Sequence, residues 1–368
     1  MFSLKRSFFF LLPVMALIAC APMPSGSSGV GPSSGVREAQ LTELGYTALP
    51  LRKISMDSRY SGKFLVNGKS VNMLIDSGAN STDLVNRLAP KLGLKVDQKT
   101  RVVSRGALGR PVQSQIGVGV LSAGPVSALP FPFMLATEDL GSTATSRYDG
   151  QIGLDALQAL GALVDLRSGQ MWVPGKDAVN ARDRSVRPLG FQKGLGFAAL
   201  RMRRARDLTH LVLESEWNGR LVTWIVDTGA EVSVLSATSA RKLGLETRPS
   251  GSRIIDASGD NAPARAATFH NVFFDQLVLT EFQVAVIPLP VVRENFKDRS
   301  GRAVDGIIGM DFLESTGALF DAGSRVLYVG DPASQSGPVQ SRQTLAREPR
   351  LAPLGTKYSA EVPDFGNL

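Results

Sequence analysis

Met73-Leu74-Ile75-Asp76-Ser77-Gly78-Ala79-Asn80 and Trp224-Ile225-Val226-Asp227-Thr228-Gly229-Ala230-Glu231 are one stretch written twice. In each, an apolar run ends in Asp, followed by a small hydroxyl residue, Gly and Ala. The apolar run reads as a buried strand, so the Asp stands at a strand end, and Gly allows a tight turn that a Cβ would obstruct. One such site could be a turn. Two with the same chemistry point to a paired carboxylate.

The repeat extends far beyond these loops. Leu44 to Leu94 aligns without a gap on Leu195 to Leu245 at a shift of 151 residues. Asn67-Gly68-Lys69 falls on Asn218-Gly219-Arg220, and Lys91-Leu92-Gly93-Leu94 on Lys242-Leu243-Gly244-Leu245. A second block, at a shift of 156, sets Asp149-Gly150-Gln151-Ile152-Gly153-Leu154-Asp155 on Asp305-Gly306-Ile307-Ile308-Gly309-Met310-Asp311. So long a register identifies an internal duplication.

Outside the repeats the chain is of a different character. Lys5 and Arg6 precede an apolar run from Phe8 to Ile18, too short for a comfortable membrane span and patterned as an export signal. Leu17-Ile18-Ala19-Cys20 resembles a bacterial lipobox, which implies cleavage before Cys20 and lipidation of that residue. Ala21, rather than Asp, implies sorting to the outer membrane, so the body would face the periplasm. The plainer alternative is an ordinary signal with an incidental Cys. The expected organisation is a signal peptide over 1–19, a Pro/Gly/Ser tether over 20–40, one lobe over 41–174, a polar linker over 175–187, a second lobe over 188–330 and a disordered tail over 331–368.

Within each lobe the signals are those of short strands and turns. Lys63-Phe64-Leu65-Val66 followed by Asn67-Gly68 predicts a hairpin. Ser81 to Leu92 carries Leu84, Val85, Leu88 and Leu92 near helical spacing, with Gly93 to end the helix. Val102 to Ala136 reads as strands and turns, Asp155 as the cap of a short helix ending at Gly161, and Leu163 to Val173 as a hairpin about Ser168-Gly169.

Composition excludes several function classes. Cys20 is the only cysteine among 368 residues, so there is no internal disulfide, no Cys metal ligand and no Cys nucleophile in the lobes. With 43% hydrophobic residues the chain can build two packed cores. The net charge of +8 falls to +6 once Lys5 and Arg6 leave with the signal. Its densest run, Arg201, Arg203, Arg204 and Arg206, lacks interleaved aromatics and reads as a solvated strand edge rather than a nucleic-acid surface. His210 and His270 lie on strand-like segments and read as surface or core residues, not ligands. Asp149, Asp165, Asp305 and Asp321 read as turn residues. No metal and no cofactor is expected.

Two carboxylates held close together cannot both ionise cheaply, so they share a proton near working pH. The ionised member can then take a proton from a bound water while the other polarises a carbonyl. Asp76 and Asp227 are the candidates. Ser77 and Thr228 are placed to bond across the axis between the loops, and Gly78 and Gly229 let the backbones approach. At these residues the chain resembles the aspartic proteases: Asp76-Ser77-Gly78-Ala79 and Asp227-Thr228-Gly229-Ala230 look like retropepsin active-site loops. Ile307-Ile308-Gly309, and less closely Gln151-Ile152-Gly153, resemble the second signature of that family. Leu154 and Met310 stand where the retroviral enzymes carry Arg, leaving Asp155 and Asp311 as helix caps.

The resemblance covers roughly residues 44 to 330. It implies a mainly β fold of two pseudo-symmetric retropepsin-like barrel lobes with short helices and the active site between them. It also implies a flap hairpin over each loop. Candidate tips are Gly106, Ala107, Leu108 and Gly109 in the first lobe and Ala257, Ser258 and Gly259 in the second; the alternative is two ordinary glycine-rich turns. The implied activity is that of an aspartic endopeptidase on extended segments of envelope proteins, with protein or peptide as partner, the membrane reached through Cys20, no nucleic acid, and a monomer holding one complete site. Two rivals stand beside this. A nucleotide-binding fold of the actin and sugar-kinase type needs longer helices than fit here, and a duplicated fold without catalysis would bind peptide or scaffold the envelope. If the lipobox reading is right, intact-mass analysis of the membrane fraction will find a mature chain beginning at lipidated Cys20; a water-soluble form starting elsewhere would refute it.

Overall fold

The computed structural model describes residues 11–12, 34–54, 58–136, 148–175, 197–206, 210–256, 258–298, 300–330 and 339–341. The expected signal cleavage site with Cys20, almost all of the linker and most of the tail lie outside the described residues.

Each lobe is a six-stranded ring. In the first, Tyr60–Val66 pairs with Lys69–Ile75, then the ring passes through Gly150–Ile152, Asp83–Val85, Val126–Ala136 and Pro111–Ala123, which pairs with Tyr60–Val66 again. In the second, Leu211–Trp217, Arg220–Val226, Gly306–Ile308, Val234–Ser236, Leu277–Ile287 and Asn261–Phe274 close in the same order. The registers match: Met73 and Leu84 both lie opposite Gly150, as Trp224 and Leu235 lie opposite Gly306. The predicted hairpins at Asn67-Gly68 and Asn218-Gly219 have positive φ at both central residues, the conformation whose twist suits adjoining strands.

Because strand side chains alternate, each ring has two faces. Leu84, Ile152, Leu235 and Ile308 enter the large core that fills the rings. In the second lobe that core contains an aromatic cluster of Trp224, Phe269, Phe274 and Phe282, with edge-to-face centroid distances such as 5.6 Å for Trp224–Phe282. Ring closure also overrides one local signal. Asp83–Val85, predicted helical, is a strand, because it must bridge Val126–Ala136 and Gly150–Ile152; only the short helical turns Asn86–Leu88 and Ala89–Leu92 follow, ending at Gly93 with φ 69°.

A second sheet joins the lobes. Tyr46–Lys53, Gln170–Pro174 and Leu163–Asp165 come from the first lobe, and Leu319–Asp321, Val326–Gly330 and Phe197–Arg201 from the second. The halves meet where Val164 lies opposite Phe320, which marks the pseudo-twofold axis. Residues 34–40, expected in the flexible tether, instead begin a helix, Ser34–Glu43, whose Leu41 is fully buried with Tyr46, Leu163, Trp172 and Tyr328 on one face of this sheet. Burial of that apolar side chain favours ordering the segment. Within the expected disordered tail, Val339–Ser341 is a strand paired with Leu277–Leu279. Near the other end, Leu11–Leu12 runs parallel to Arg105–Gly106.

Since the joining sheet buries Phe320 completely at the axis, Phe320→Ala should destabilise both lobes together. The expected cost is about 3–5 kcal/mol in a single cooperative urea transition; two separate transitions would contradict a shared core.

Candidate active site

The two Asp loops emerge side by side from the ring strands. Asp76 donates its amide to the Ile152 carbonyl at 3.0 Å, and Asp227 its amide to Ile308 at 2.9 Å, so each loop is pinned by the downstream segment of its own lobe. The hydroxyls then tie lobe to lobe. Ser77 N–H donates to Thr228 Oγ1 at 2.9 Å, and Thr228 N–H donates to Ser77 Oγ at 3.0 Å. Ser77 Oγ donates onward to the Val226 carbonyl at 2.9 Å, and Thr228 Oγ1 to that of Ile75 at 3.0 Å. All four groups are buried, and each hydroxyl both donates and accepts.

The carboxyl groups meet inside this frame. Asp76 Oδ1 accepts from the Gly78 and Ala79 amides at 2.9 and 3.0 Å, and Asp227 Oδ1 from Gly229 at 2.7 Å. Both side chains are fully buried, each leaves its Oδ2 without a protein hydrogen-bond partner, and the two groups act on one another electrostatically. A Cβ on Gly78 would lie 2.2 Å from Asp227 Cγ, and one on Gly229 would lie 2.5 Å from Asp76 Cγ, so both glycines are steric requirements of the close approach. Ala79 and Ala230 close the loops, each nearly or fully buried.

Burial drives the Asp76 carboxyl well above the usual range, and repulsion from Asp227 adds to it, against the pull of the Ala79 and Gly78 amides. Burial also raises Asp227; its interaction with Asp76, the Gly229 and Gly78 amides and the neighbouring His210 work the other way. The proton therefore belongs to the pair, which holds it at pH values where a free Asp has lost its own.

Asp155 and Asp311 are not helix caps. Helices Leu154–Ala159 and Met310–Ser315 begin after Gly153 and Gly309, with the acids inside the first turn. Their carboxylates reach back instead to the strand leaving each Asp loop. Asp155 accepts from Thr82 Oγ1 at 2.7 Å, and Asp311 from Ser233 Oγ at 2.6 Å. The same hydroxyls accept from the Gly153 and Gly309 amides, both at 3.0 Å. Burial lifts the Asp155 carboxyl to about 6 and raises Asp311 as well. As turn residues, Asp165 and Asp321 accept from backbone amides of their own turns, whereas Asp149 and Asp305 bond the amides of neighbouring strand residues Asn72 and Thr223.

The candidate flaps are hairpins that touch. Gly106 to Gly109 joins Lys95–Gly106 to Pro111–Ala123, and Ser258 and Gly259 lie in the turn between Arg248–Ile255 and Asn261–Phe274; Ala257 lies outside the described residues. Asp256, at the start of the second candidate flap, accepts from the Leu108 amide of the other flap at 2.9 Å and from Ser258 N–H at 3.0 Å. Arg110 donates to the Ser258 carbonyl at 3.0 Å. A Cβ on Gly106 would lie 2.3 Å from Asp256 Oδ2, so one flap supplies the carboxylate and the other the gap for it. Ala107 and Leu108 pack in the same apolar cluster as Ala230, which sets this flap over the second Asp loop.

One further residue acts across the lobes. Arg59, 4% exposed, reaches Glu231 at 3.5 Å, and His210 occupies the corresponding repeat position. His210 is a core residue, packed edge-to-face on Phe296 with centroids 4.4 Å apart, whereas His270 is exposed beside Glu281. The signal for this pair was present in the repeat register, where two basic residues coincide. Arg203–Arg204 is indeed an edge strand, with Arg203 on Glu214. Among the described residues no helix is long and apolar enough to cross a membrane, and no group of three or more His, Cys, Asp or Glu side chains is gathered for a metal ion.

Two closed barrels, each presenting an Asp-Ser/Thr-Gly-Ala loop to the other, define a two-lobed protein of the aspartic protease type. Residues 63–156 and 213–312 both match the family model described as aspartyl protease, together covering more than half of the chain. The chain belongs to the aspartyl protease family. Among solved structures, that of Basic 7S globulin from soybean aligns with 78% of this chain and 95% of its own, at 11% identity and a TM-score of 0.42. Comparison with curated protein sequences gives no match.

The cross-bonded hydroxyls set an expectation for stability. Ser77→Ala leaves the Thr228 amide and the Val226 carbonyl buried without their partner, and should cost about 1–3 kcal/mol in thermal or urea unfolding. An unchanged melting curve would show that the cross-bonds contribute nothing to joining the lobes.

Proposed function

We propose that this protein is an aspartic endopeptidase that hydrolyses peptide bonds in extended polypeptide segments of the cell envelope. The observation that carries the reading is the pair Asp76 and Asp227. They are two buried carboxyl groups, each held through Oδ1 by its own loop amides, whose charges act on one another within one chain. The envelope location rests on the lipobox reading of Leu17 to Cys20.

The chemistry follows from the shared proton. An extended segment enters when the flaps part, which requires the Asp256–Leu108 contact to open. A water bonded to both carboxyl groups loses a proton to the ionised one as its oxygen attacks the peptide carbon. The protonated carboxyl donates to the carbonyl oxygen, giving a neutral tetrahedral diol. Collapse of the diol breaks the C–N bond: the dyad's proton passes to the departing nitrogen while the ionised carboxylate takes the proton of a diol hydroxyl, so the dyad again holds one proton. Ser77, Thr228 and the two glycines keep the carboxyl groups in register through these transfers. No covalent enzyme intermediate is needed.

Each lobe contributes one Asp, so either single substitution should stop the reaction. Asp76→Asn and Asp227→Asn should each lower kcat/KM by about 10²–10⁴-fold or more, with circular dichroism unchanged and wild-type activity per molecule independent of protein concentration. Substantial turnover in either variant would refute a single shared dyad. The pH profile should be bell-shaped, because the working pair carries one proton. Activity falls on the acid side as the ionised member gains a proton, and on the alkaline side as the shared proton leaves. Burial raises both groups, and Ala79 and Ala230 supply no hydroxyl to stabilise the anion, so the maximum should lie at weakly acidic to near-neutral pH. A maximum confined to strongly acidic pH would contradict this.

A further inference from the structure

The duplicated rings carry opposite chemistry on the face that turns away from their cores. In the second lobe this face is an apolar wall formed by Val212, Val234, Ile254, Ala264 and Ile307. It belongs to one cluster with Ala230 of the Asp loop and with Ala107 and Leu108 of the opposite flap, so it borders the cleft that the flap covers. The strand registers identify the matching positions of the first lobe. Asp83 lies opposite Gln151 as Val234 lies opposite Ile307. Ser61 lies opposite Leu74 as Val212 lies opposite Ile225. Ser104 lies opposite Val112 as Ile254 lies opposite Ala262. Gln115 faces Leu135 as Arg265 faces Val286, which sets Ser114 against Ala264.

Every one of these five apolar positions is therefore polar in the first lobe, and all five polar residues are 7% exposed or less. The change at the centre of the wall is a matched pair. Gln151 Nε2 donates to Asp83 Oδ2 at 2.7 Å, in the place of the Val234–Ile307 contact. Each polar residue alone would be costly beside an apolar partner; together they satisfy one another. Burial raises the Asp83 carboxyl well above the usual range and the like charge of Asp155 adds to this, while its bonds with Gln151 and Ser81 work the other way. Among the described residues no cation pairs with Asp83. The first-lobe wall thus holds a buried acid beside the Gln151 amide with no cation paired to it, and a cation brought next to it would favour its ionised form.

Resting on the reading of the cleft as a peptide-hydrolysing site, we propose that Asp83 and Gln151 are its specificity-determining residues on the first-lobe side, and that they select a Lys or Arg side chain of the substrate. The Val234–Ile307 wall takes an apolar side chain on the other side of the scissile bond. An incoming cation would let the buried acid ionise and gain a charge-assisted hydrogen bond, whereas an aliphatic side chain would gain neither.

The test compares wild type, Asp83→Asn and the double variant Asp83→Val/Gln151→Ile on a mixed peptide library read by mass spectrometry. Wild type should cleave peptides with Lys or Arg at one position beside the cut about 30-fold or more faster, in kcat/KM, than the same peptides with Leu. The double variant, which copies the second lobe's wall, should reverse the preference. Asp83→Asn keeps the shape and the Gln151 contact, so it carries the test if the double variant does not fold; in it the advantage of Lys over Gln should vanish. Equal or greater wild-type cleavage with apolar residues at both positions, or a preference unmoved by the substitutions, would overturn the proposal. Calorimetric binding of hydroxyethylene peptide mimics carrying Lys or Leu at that position separates the two readings. If no peptide is cleaved but the Lys mimic binds better and the variants abolish this, the catalytic reading fails and the pocket stands; equal binding overturns the pocket.

Discussion

Two hydroxyl groups at the pseudo-twofold axis hold this structure's functional centre together. Ser77 and Thr228 each accept an amide proton from the opposite loop and donate to the carbonyl preceding the opposite Asp. A hydroxyl can do both at once, which an apolar side chain cannot. The arrangement works only because the loops carry glycine at the next position, where a Cβ would strike the opposite carboxyl group. Behind each loop a second hydroxyl, Thr82 or Ser233, is gripped by an acid from the following helix and by a glycine amide. The dyad is thus supported in two layers, and its carboxyl groups remain close although burial and mutual repulsion oppose it.

Duplication within one chain frees the two lobes from identity. A symmetric pair would place two like side chains at every position near the axis. Here one flap carries Asp256 and the other Gly106, and a second carboxylate would have no room. The flaps meet through a carboxylate accepting a backbone amide, held by Ser258 on its own side. The same freedom gives the two rings unlike outer faces, polar in the first lobe and apolar in the second. Asp83 and Gln151 differ from their second-lobe counterparts together, and either one alone would leave a buried polar group facing an aliphatic side chain.

The joining sheet bears the mechanical load of this asymmetry. Its six strands, three from each lobe, continue across the axis and bury Phe320, Leu327 and Val329 with Val164 and Met171 in one core. The lobes can therefore diverge around the cleft while their relative position is kept by backbone pairing and apolar packing far from the chemistry.

The amino-acid sequence by itself determined the features that are local or that repeat. The duplication, the Asp loops, the Asn-Gly hairpins and the glycines ending Ala89–Leu92 and Ala237–Leu243 are all legible, because a positive φ, an apolar strand end or a fixed shift leaves its mark on neighbouring residues. The tertiary structure decided what depends on distant partners. Asp83–Val85 looked helical by spacing and became a strand because the ring required one, and that choice turned Asp83 towards Gln151, 68 positions away. Asp155 looked like a cap and became a clamp on Thr82, 73 positions away. The Asp256–Leu108 contact spans 148 positions and two lobes. In each case the face a strand residue presents is set by closure of the ring, which no short stretch of sequence contains.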